Sequence, residues 1–281
     1  MLRIGTCSWK YDSWKGLIYP DQDKINYLEE YSKHFNTVEI DQWFWSLFDS
    51  GKALLPKTPV AANYTESVPD DFRFTIKMPN SFTLTHYYKS DKPNTNFLNP
   101  ELYEAFLHAV EPLHDKIGLL MFQFEFLNKQ KMSNLNQFLE KIHSFVDKVD
   151  KRFRIGIETR NPNYLTKPFF EMLKELNLSM VFLEGYYMPP VTEVYEKFQE
   201  LITSPVVIRL HGPDRSGIEE KTNGNWNQIV EPKDDSLPSI IEMIKDLRAK
   251  EIGTYINVNN HFEGSAPLTI NKIKNGLKDM I

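Results

Sequence analysis

The sequence predicts a (β/α)8 TIM barrel formed by a single domain that spans residues 1–281. Short apolar runs of strand length alternate with longer amphipathic segments, and eight such runs occur along the chain. Parallel strands need crossover connections, so this alternation is typical of parallel pairing. A count of eight favours a closed barrel over an open sheet.

The predicted strands are residues 3–9, 37–41, 72–78, 118–125, 154–160, 179–184, 206–211 and 254–259. Helices are predicted at 26–35, 100–113, 134–149, 167–176, 194–202, 237–250 and 268–277, with a weaker one near 46–55. Pro100 suits a first helical position, Ser133 can cap the helix at 134–149, and Thr166 opens the next helix. Two long loops remain, at about 79–100 and 212–235, and their aromatic residues favour an ordered lid.

Side chains alternate between the two faces of a strand, and six of the predicted strands separate cleanly into an apolar and a polar face. The apolar face must meet the helices, so Phe74, Phe122, Ile157, Ile208 and Val258 are expected to be buried there. The polar face then points into the barrel. Its members include Glu39, Asp41, Arg73, Thr75, Lys77, Gln123, Glu158, Arg160, Arg209, His211, Asn257 and Asn259.

Two strands are ambiguous. The first could place Thr6 and Ser8 inward and Cys7 outward, as a small buried residue. In the sixth, Glu184 shares the parity of the apolar residues before it and is expected at the rim.

Composition narrows the class of protein. Hydrophobic residues make up 41% and charged residues 25%, which excludes a disordered or low-complexity chain. The net charge of −5 disfavours a protein that binds the nucleic acid backbone over its whole surface. The single cysteine, Cys7, allows neither an intramolecular disulfide nor a multi-cysteine metal site. Without a signal-like start or an apolar stretch of about 20 residues, we expect no membrane association and a cytoplasmic location.

Several short stretches, in order from the first strand to the last, carry a resemblance to a known family. They are Ile4-Gly5-Thr6-Cys7-Ser8-Trp9, Trp14-Lys15-Gly16, Tyr19-Pro20, Tyr31 with His34-Phe35-Asn36-Thr37-Val38-Glu39-Ile40, Phe72-Arg73-Phe74 with Lys77, Leu120-Met121-Phe122-Gln123, Glu158-Thr159-Arg160-Asn161-Pro162, Arg209-Leu210-His211-Gly212 and Asn259-Asn260. Together they resemble the YecE-like family, a TIM-barrel family of unknown function. The resemblance covers nearly the whole chain, implies the fold and leaves the reaction unnamed. The chain departs from the family at Asp41-Gln42, Glu125-Phe126 and Glu184.

The inward polar residues predict a site at the carboxyl ends of the strands, where active sites of this fold lie. Arginine matches carboxylate or phosphate, so Arg160 and Arg209 are predicted to hold an anion, with Lys77 as a further positive charge. His211 is the predicted general acid or base and Glu158 its complementary carboxylate. Gln123, Asn257, Asn259 and Trp9 complete the predicted substrate-binding set.

Other interpretations of the same residues stay open. The inward charges can form a structural ion-pair network, such as Glu158–Arg209 or Glu39–Lys77. No cofactor is predicted, but a divalent metal is the main rival, held by oxygen donors and one imidazole. Its ligands would be Glu39, Glu158, Glu184, His211 and Asn259.

Aromatic residues near the strand ends could form a stacking wall for a sugar or a base, or simply pack the loops. They are Trp9, Trp14, Trp43, Trp45, Tyr87, Tyr88 and Trp226. The leading hypothesis is an isomerase, lyase or hydrolase that uses acid–base chemistry on a small anionic substrate. The alternative is a non-catalytic binding protein linked to nucleic acid modification. The oligomeric state is left open.

Overall fold

A computed structural model describes residues 1–48, 52–87 and 90–278. Within them, eight parallel strands form a closed barrel in sequence order, which confirms the predicted fold. The strands are β1 (Leu2–Thr6), β2 (Thr37–Ile40), β3 (Arg73–Lys77), β4 (Ile117–Gln123), β5 (Ile155–Glu158), β6 (Ser179–Gly185), β7 (Val206–Gly212) and β8 (Thr254–Val258). The barrel closes where β1 pairs with β8, from Leu2 opposite Thr254 to Thr6 opposite Val258.

Helices connect successive strands on the outside of the barrel. In the described ranges they are α1 (Tyr27–Ser32), α2 (Thr58–Glu66), α3 (Pro100–Ala109), α4 (Leu135–Val146), α5 (Lys167–Glu175), α6 (Val191–Phe198), α7 (Arg215–Thr222), α8 (Leu237–Ala249) and α9 (Ala266–Gly276). None of these helices is long and apolar enough to cross a membrane.

Three local expectations were wrong. The helix expected near 46–55 is replaced by an antiparallel bridge between Leu47 and Ala53, and the helix of this connection is α2. Residues 49–51 of that expected helix lie outside the described residues. The loop expected at 212–235 contains α7. Asn134, not Ser133, caps α4, because its side chain accepts a hydrogen bond from the Gln137 amide at 3.0 Å.

The layer between strands and helices is apolar, as the strand parity predicted. The five side chains expected there are almost fully buried: Phe74, Phe122, Ile157, Ile208 and Val258. Phe122 shows the packing, since its ring lies 5.8 Å from that of Phe82 and 5.4 Å from that of Phe145. This packing fixes which side chains of each strand must point into the barrel.

The barrel interior has an apolar lower part and a charged upper part. Five side chains from β4, β6, β7 and β8 form the apolar cluster: Leu119, Met121, Val181, Val207 and Tyr255. Arg209 and Asn257 lie two residues further along β7 and β8 than Val207 and Tyr255, and the buried polar side chains of Glu39, Thr75 and Glu158 join them from β2, β3 and β5. The apolar cluster therefore forms a floor beneath the charges.

The first strand has the opposite parity to the one expected. Thr6 faces α1, where its amide and its hydroxyl both donate to the Tyr31 hydroxyl at 2.9 Å. Cys7 therefore points inward. On β6, the Glu184 carboxylate accepts a hydrogen bond from the Val191 amide at 2.9 Å, which places it outside the barrel interior.

Candidate active site

A cavity of about 1070 Å³ opens at the carboxyl ends of the strands. Side chains that lie on or just after all eight strands contribute to its wall. The lining residues are Cys7, Tyr11, Glu39, Asp41, Gln42, Phe44, Trp45, Lys77, Gln123, Phe126, Arg160, Pro162, Tyr186, Tyr187, Met188, Arg209, His211, Arg215, Asn259 and His261. A second cavity, of about 930 Å³, lies at the amino ends of the strands and contains none of the predicted site residues.

Arg209 is the centre of the charged interior and is only 2% exposed. Its guanidinium donates to both carboxylate oxygens of Glu39, at 2.8 and 2.6 Å, and to Glu158 Oε2 at 2.6 Å. Asn257 supports Glu39 from below, donating to its Oε2 at 3.1 Å and to Thr75 Oγ1 at 2.9 Å. Arg209 is therefore neutralised by two carboxylates before any ligand arrives.

This geometry fixes the ionisation of the buried groups. Burial by itself would raise the pKa of Glu158, but Arg209 and Arg160 hold the pKa of that carboxyl below its usual range. Burial likewise opposes the charge on Arg209, yet Glu158 and Glu39 raise the pKa of the guanidinium well above its ordinary value. Both groups stay charged at neutral pH.

Arg160 lies one level above Arg209, nearer the opening. Its Nε is 2.8 Å from Glu158 Oε1, and its terminal nitrogen donates to Gln123 Oε1 at 3.0 Å. Arg209 donates to the same Gln123 oxygen at 3.2 Å. The guanidinium of Arg160 lies 4.6 Å from the centroid of the Tyr186 ring, so one face of the group is covered by an aromatic side chain.

Lys77 differs from the two arginines. It lines the cavity from the end of β3, and in the described ranges its ammonium has neither a hydrogen bond nor an ion pair. Its Nζ instead lies 3.6 Å from the centroid of the Phe44 ring. Burial, reinforced by Arg209 and Arg160 and opposed by Glu39 and Glu158, lowers its pKa to about 8.

Asp41 lines the cavity just after β2. Ile40 of β2 pairs with Ile76 of β3, so Asp41 and Lys77 follow that pair on neighbouring strands. Burial and the Glu39 carboxylate raise the pKa of Asp41 to about 6, even though Lys77 and Arg209 oppose the shift. The site thus contains a carboxyl group and an amine whose pKa values lie on either side of neutral pH.

His211 lies at the end of β7 beside Cys7, which the strand pattern had predicted to point out of the barrel. Its Nε2 is 3.6 Å from Cys7 Sγ, and its Nδ1 is 3.4 Å from the Tyr186 hydroxyl. Burial, together with Arg209, Arg160 and Lys77, lowers the pKa of His211 well below its usual value. Burial raises the pKa of the Cys7 thiol, so both partners are neutral.

The neutral state of His211 gives a direct prediction. Its imidazole carbon-bound protons should show no titration between pH 6 and 8 by NMR, because protonation would add a charge beside three cations in a buried site. A histidine-containing peptide in the same buffers provides the reference curve. A titration midpoint for His211 near 6.5 would contradict the burial argument.

The turn after β6 brings Tyr186 into the site. Gly185 has a φ of +131° and no room for a Cβ, which would lie 2.2 Å from the Gly212 carbonyl oxygen. Tyr186 itself has a φ of 55°, a left-handed conformation that is uncommon for a residue with a side chain. No pattern in the sequence predicts this turn.

Six of the nine predicted site residues line the cavity: Lys77, Gln123, Arg160, Arg209, His211 and Asn259. Three do not. Glu158 and Asn257 are buried beneath the cavity, where they bond to Arg209 and Glu39. Trp9 is buried in the helix-facing layer, with its ring 5.1 Å from that of Tyr64. Asn257 and Trp9, which were predicted to bind substrate, therefore do not reach the cavity wall. The contacts of Glu158 with Arg160 and Arg209 are those of a carboxylate that orients an arginine.

Most of the aromatic side chains that were expected to form a stacking wall are instead packed against other parts of the protein. Trp14, Tyr87 and Trp226 are buried, and Trp43 stacks on Tyr64 at 5.8 Å. Tyr88 lies outside the described residues. Trp45 does line the cavity, together with Tyr11, Phe44, Phe126, Tyr186 and Tyr187. The described residues of the 79–100 loop do not line it, so they form no lid; Phe82 and Phe97 pack against Phe122 and Phe124.

The donors named for the metal hypothesis are not assembled. Arg209 lies between Glu39 and Glu158 and bonds to both, and Glu184 faces away from the interior. In the part of the chain that the structure describes, no group of three or more His, Cys, Asp or Glu side chains is arranged to hold a metal ion. The charged interior corresponds instead to the ion-pair network, including its predicted Glu158–Arg209 pair.

The fold and this cavity define a (β/α)8 barrel protein with a charged site at the carboxyl ends of its strands. The chain belongs to the family whose model is described as protein of unknown function DUF72, which matches residues 3–280. It is 28% identical to the UPF0759 protein YecE of Escherichia coli strain K12 over 167 residues, or 59% of this chain and 51% of YecE. The chain thus matches about half the length of that relative. These matches confirm the YecE-like resemblance.

Other relatives extend over more of the chain. The UPF0759 protein YunF of Bacillus subtilis strain 168 is 25% identical over 243 residues, which cover 82% of this chain and 77% of YunF. A DUF72 family protein structure from Thermotoga maritima superimposes with a TM-score of 0.70 at 20% identity and covers 99% of both chains. A D-tagatose 3-epimerase-like protein superimposes with a TM-score of 0.53 at 13% identity, covering 99% of this chain and 97% of that one, which shows the shared fold.

Proposed function

We propose that the protein is an enzyme that binds a small anionic substrate in the cavity at the strand ends and transfers protons on it. The observation that carries this proposal is the unpaired ammonium of Lys77 beside Arg160 in that cavity, among the described residues. Because active sites of this fold lie at the same end of the barrel, the position of the cavity supports a catalytic role.

The free cationic donors, not a net charge, favour an anion. Glu39 and Glu158 pair with Arg209 and Arg160, and Asp41 offsets the charge of Lys77 at a pH above the Asp41 pKa of about 6. The Lys77 ammonium nevertheless makes no ion pair or hydrogen bond in the described residues, so its donors are available to a ligand. A phosphate or carboxylate near Lys77 and the outer edge of Arg160 would gain charge-assisted hydrogen bonds.

The ionisable groups suit proton transfer near neutral pH. Asp41 has a pKa of about 6 and Lys77 one of about 8, while His211 is held neutral. Groups with pKa values near the operating pH can both accept and return a proton during a reaction cycle. Isomerisation, lyase chemistry and hydrolysis are the reaction classes that such groups serve.

Aromatic side chains at the cavity mouth favour a substrate with a flat or ring-shaped part. Trp45 is 69% exposed, Phe126 59% and Tyr187 96%, although all three are large apolar side chains. Aromatic faces of this kind stack on sugar rings and bases. A sugar- or nucleotide-like molecule that carries a phosphate or carboxylate fits both features.

Thermal-shift measurements with sugar phosphates, nucleotides and carboxylates test the proposal. A bound anion at 100 times its Kd should stabilise the wild-type protein by about 2.7 kcal/mol. Arg160→Gln removes charged donors worth about 1.5–3 kcal/mol, so it should weaken binding by roughly 10- to 100-fold.

The control is Arg152→Gln, which alters an exposed arginine that pairs with Asp150 outside the cavity. This variant should bind the anion as the wild type does. If no anion stabilises the wild type, or if Arg160→Gln binds as tightly as the control, the proposed site is wrong.

A further inference from the structure

Lys77 is the half-buried primary amine that lines the cavity, and its surroundings differ from those of the buried Lys116. The Lys116 Nζ donates to the carbonyl oxygens of Val68 and Pro69 at 2.9 and 2.7 Å. Lys77 has no such acceptor in the described ranges, and its Nζ contacts the face of the Phe44 ring. The Lys77 amine is therefore open to whatever enters the cavity.

Reactivity follows from this environment. The charged groups around Lys77 are Asp41, Glu39, Glu158, Arg160 and Arg209. Burial and the two arginines outweigh the attraction of the carboxylates and lower the pKa of Lys77 to about 8, so its free amine forms at a lower pH than that of an exposed lysine. A desolvated lysine beside other cations is the setting in which an amine becomes a nucleophile.

We propose that Lys77 forms an imine with the carbonyl carbon of an aldehyde or ketone that carries a phosphate or carboxylate. This inference rests on the proposed function for the anionic group and adds the class of substrate, a carbonyl compound. Arg160 binds the anionic group and Lys77 attacks the carbonyl. An arginine could not take the second role, because it stays protonated in proteins.

The covalent step balances without an oxidant or a reductant. The Nζ lone pair forms the C–N bond while the C=O π electrons move to oxygen. Asp41, which follows β2 next to Lys77, carries the proton lost by nitrogen to that oxygen and so forms a hydroxyl group. Asp41 then takes a second proton from solvent and donates it to the hydroxyl group, which leaves as water while the nitrogen lone pair closes the C=N bond and gives the protonated imine.

The imine defines the class of reaction. Its protonated form draws electrons from the adjacent carbon, which makes a neighbouring C–H bond acidic and a neighbouring C–C bond easier to break. Asp41, which lines the same cavity and is a carboxylate once it has given up its proton, can accept the proton from that carbon. Isomerisation of a carbonyl compound and carbon–carbon bond cleavage are the two reactions that this arrangement serves.

Pyridoxal 5′-phosphate is a suitable probe because it is an aldehyde with a phosphate group. The protein is incubated with it at pH 8, reduced with borohydride and digested, and the labelled lysines are located by mass spectrometry. We expect about one label per chain, on Lys77, with Lys116 unlabelled as the buried reference. Inorganic phosphate in excess should slow the labelling at least tenfold by competing for the anion site.

Two variants complete the test. Lys77→Arg keeps the positive charge and should lose the label, whereas Lys151→Arg, at an exposed lysine that pairs with Asp147, should keep it. Lys77→Met serves as a second variant that removes the amine. Circular dichroism is used to check that each variant is folded. Labels spread over surface lysines, or equal labelling in wild type and Lys77→Arg, would overturn the imine proposal.

The outcomes separate the two proposals. Anion stabilisation that depends on Arg160, without a label on Lys77, leaves the proposed function intact and contradicts the imine step. Labelling of Lys77 that phosphate does not slow supports a reactive amine and contradicts the anion site. If no anion stabilises the protein and Lys77 is unlabelled, both proposals fail.

Discussion

Replacing Arg209 by methionine is expected to lower the free energy of unfolding by about 3–5 kcal/mol. The variant leaves Glu39 and Glu158 buried with no guanidinium between them, and both carboxylates are almost inaccessible to water. Urea denaturation at pH 7 measures the loss. The matched control is Arg215→Met, whose exposed pair with Glu219 should contribute no more than about 1 kcal/mol.

The pH dependence of this loss has a defined sign. In the wild type the pKa of Glu158 is lowered by folding, so its contribution is present above the unfolded value of about 4.3 and disappears as the pH falls through the folded value. In Arg209→Met the penalty comes from an ionised Glu39 without a cation and from a Glu158 that keeps only Arg160. The gap between the two proteins should therefore be widest near neutral pH and narrow below about pH 4. A gap independent of pH would mean that Arg209 acts through packing alone.

Truncating Tyr255 to alanine is expected to cost about 3–5 kcal/mol, the usual range for removing a buried aromatic side chain. Its ring lies in the floor cluster with Leu119, Met121, Val181 and Val207, directly beneath the charged layer. The cavity left behind would open the floor under Asn257 and Glu39. The same urea experiment reports the loss, and a shift of the Glu39 or Glu158 carboxyl signals by NMR would show that water reaches them.

Tyr255→Phe is the control for that substitution. Among the described residues the Tyr255 hydroxyl makes no hydrogen bond, so removing the oxygen alone should cost far less than removing the ring. An alanine variant as stable as the phenylalanine variant would show that the barrel interior collapses around the gap, and the floor would then have no supporting role.

The fold could be predicted from the sequence because each strand carries its own pattern. Alternating apolar and polar residues on β2, β3, β4, β5, β7 and β8 are enough to tell which face of each strand meets the helices. The first strand was misread because Thr6 is polar and yet faces a helix, where a tyrosine from that helix satisfies both its amide and its hydroxyl. A long-range hydrogen bond of this kind leaves no trace in local periodicity.

The sequence indicates at which end of the barrel the candidate site lies, but it does not show how the side chains of the site bond to one another. Parity placed Lys77, Arg160 and His211 at the cavity, and no local rule could show that Glu39 and Glu158 both bond to Arg209. That arrangement depends on three strands separated widely along the chain. The contact between Cys7 and His211 is of the same kind, since it joins β1 to β7.

The pairing of β1 with β8 has a consequence for how the chain acquires its structure. Thr6 lies opposite Val258, and the Cys7 amide donates to the Val258 carbonyl at 2.9 Å, so the first and last strands of the barrel depend on each other. Until β8 is made, β1 and β7 present open edges, and Glu39 lacks the amide of Asn257. Contacts this distant in sequence are slow to form. During synthesis the charged interior thus stays incomplete until β8 has emerged, and that period is when a chaperone would be most useful to it.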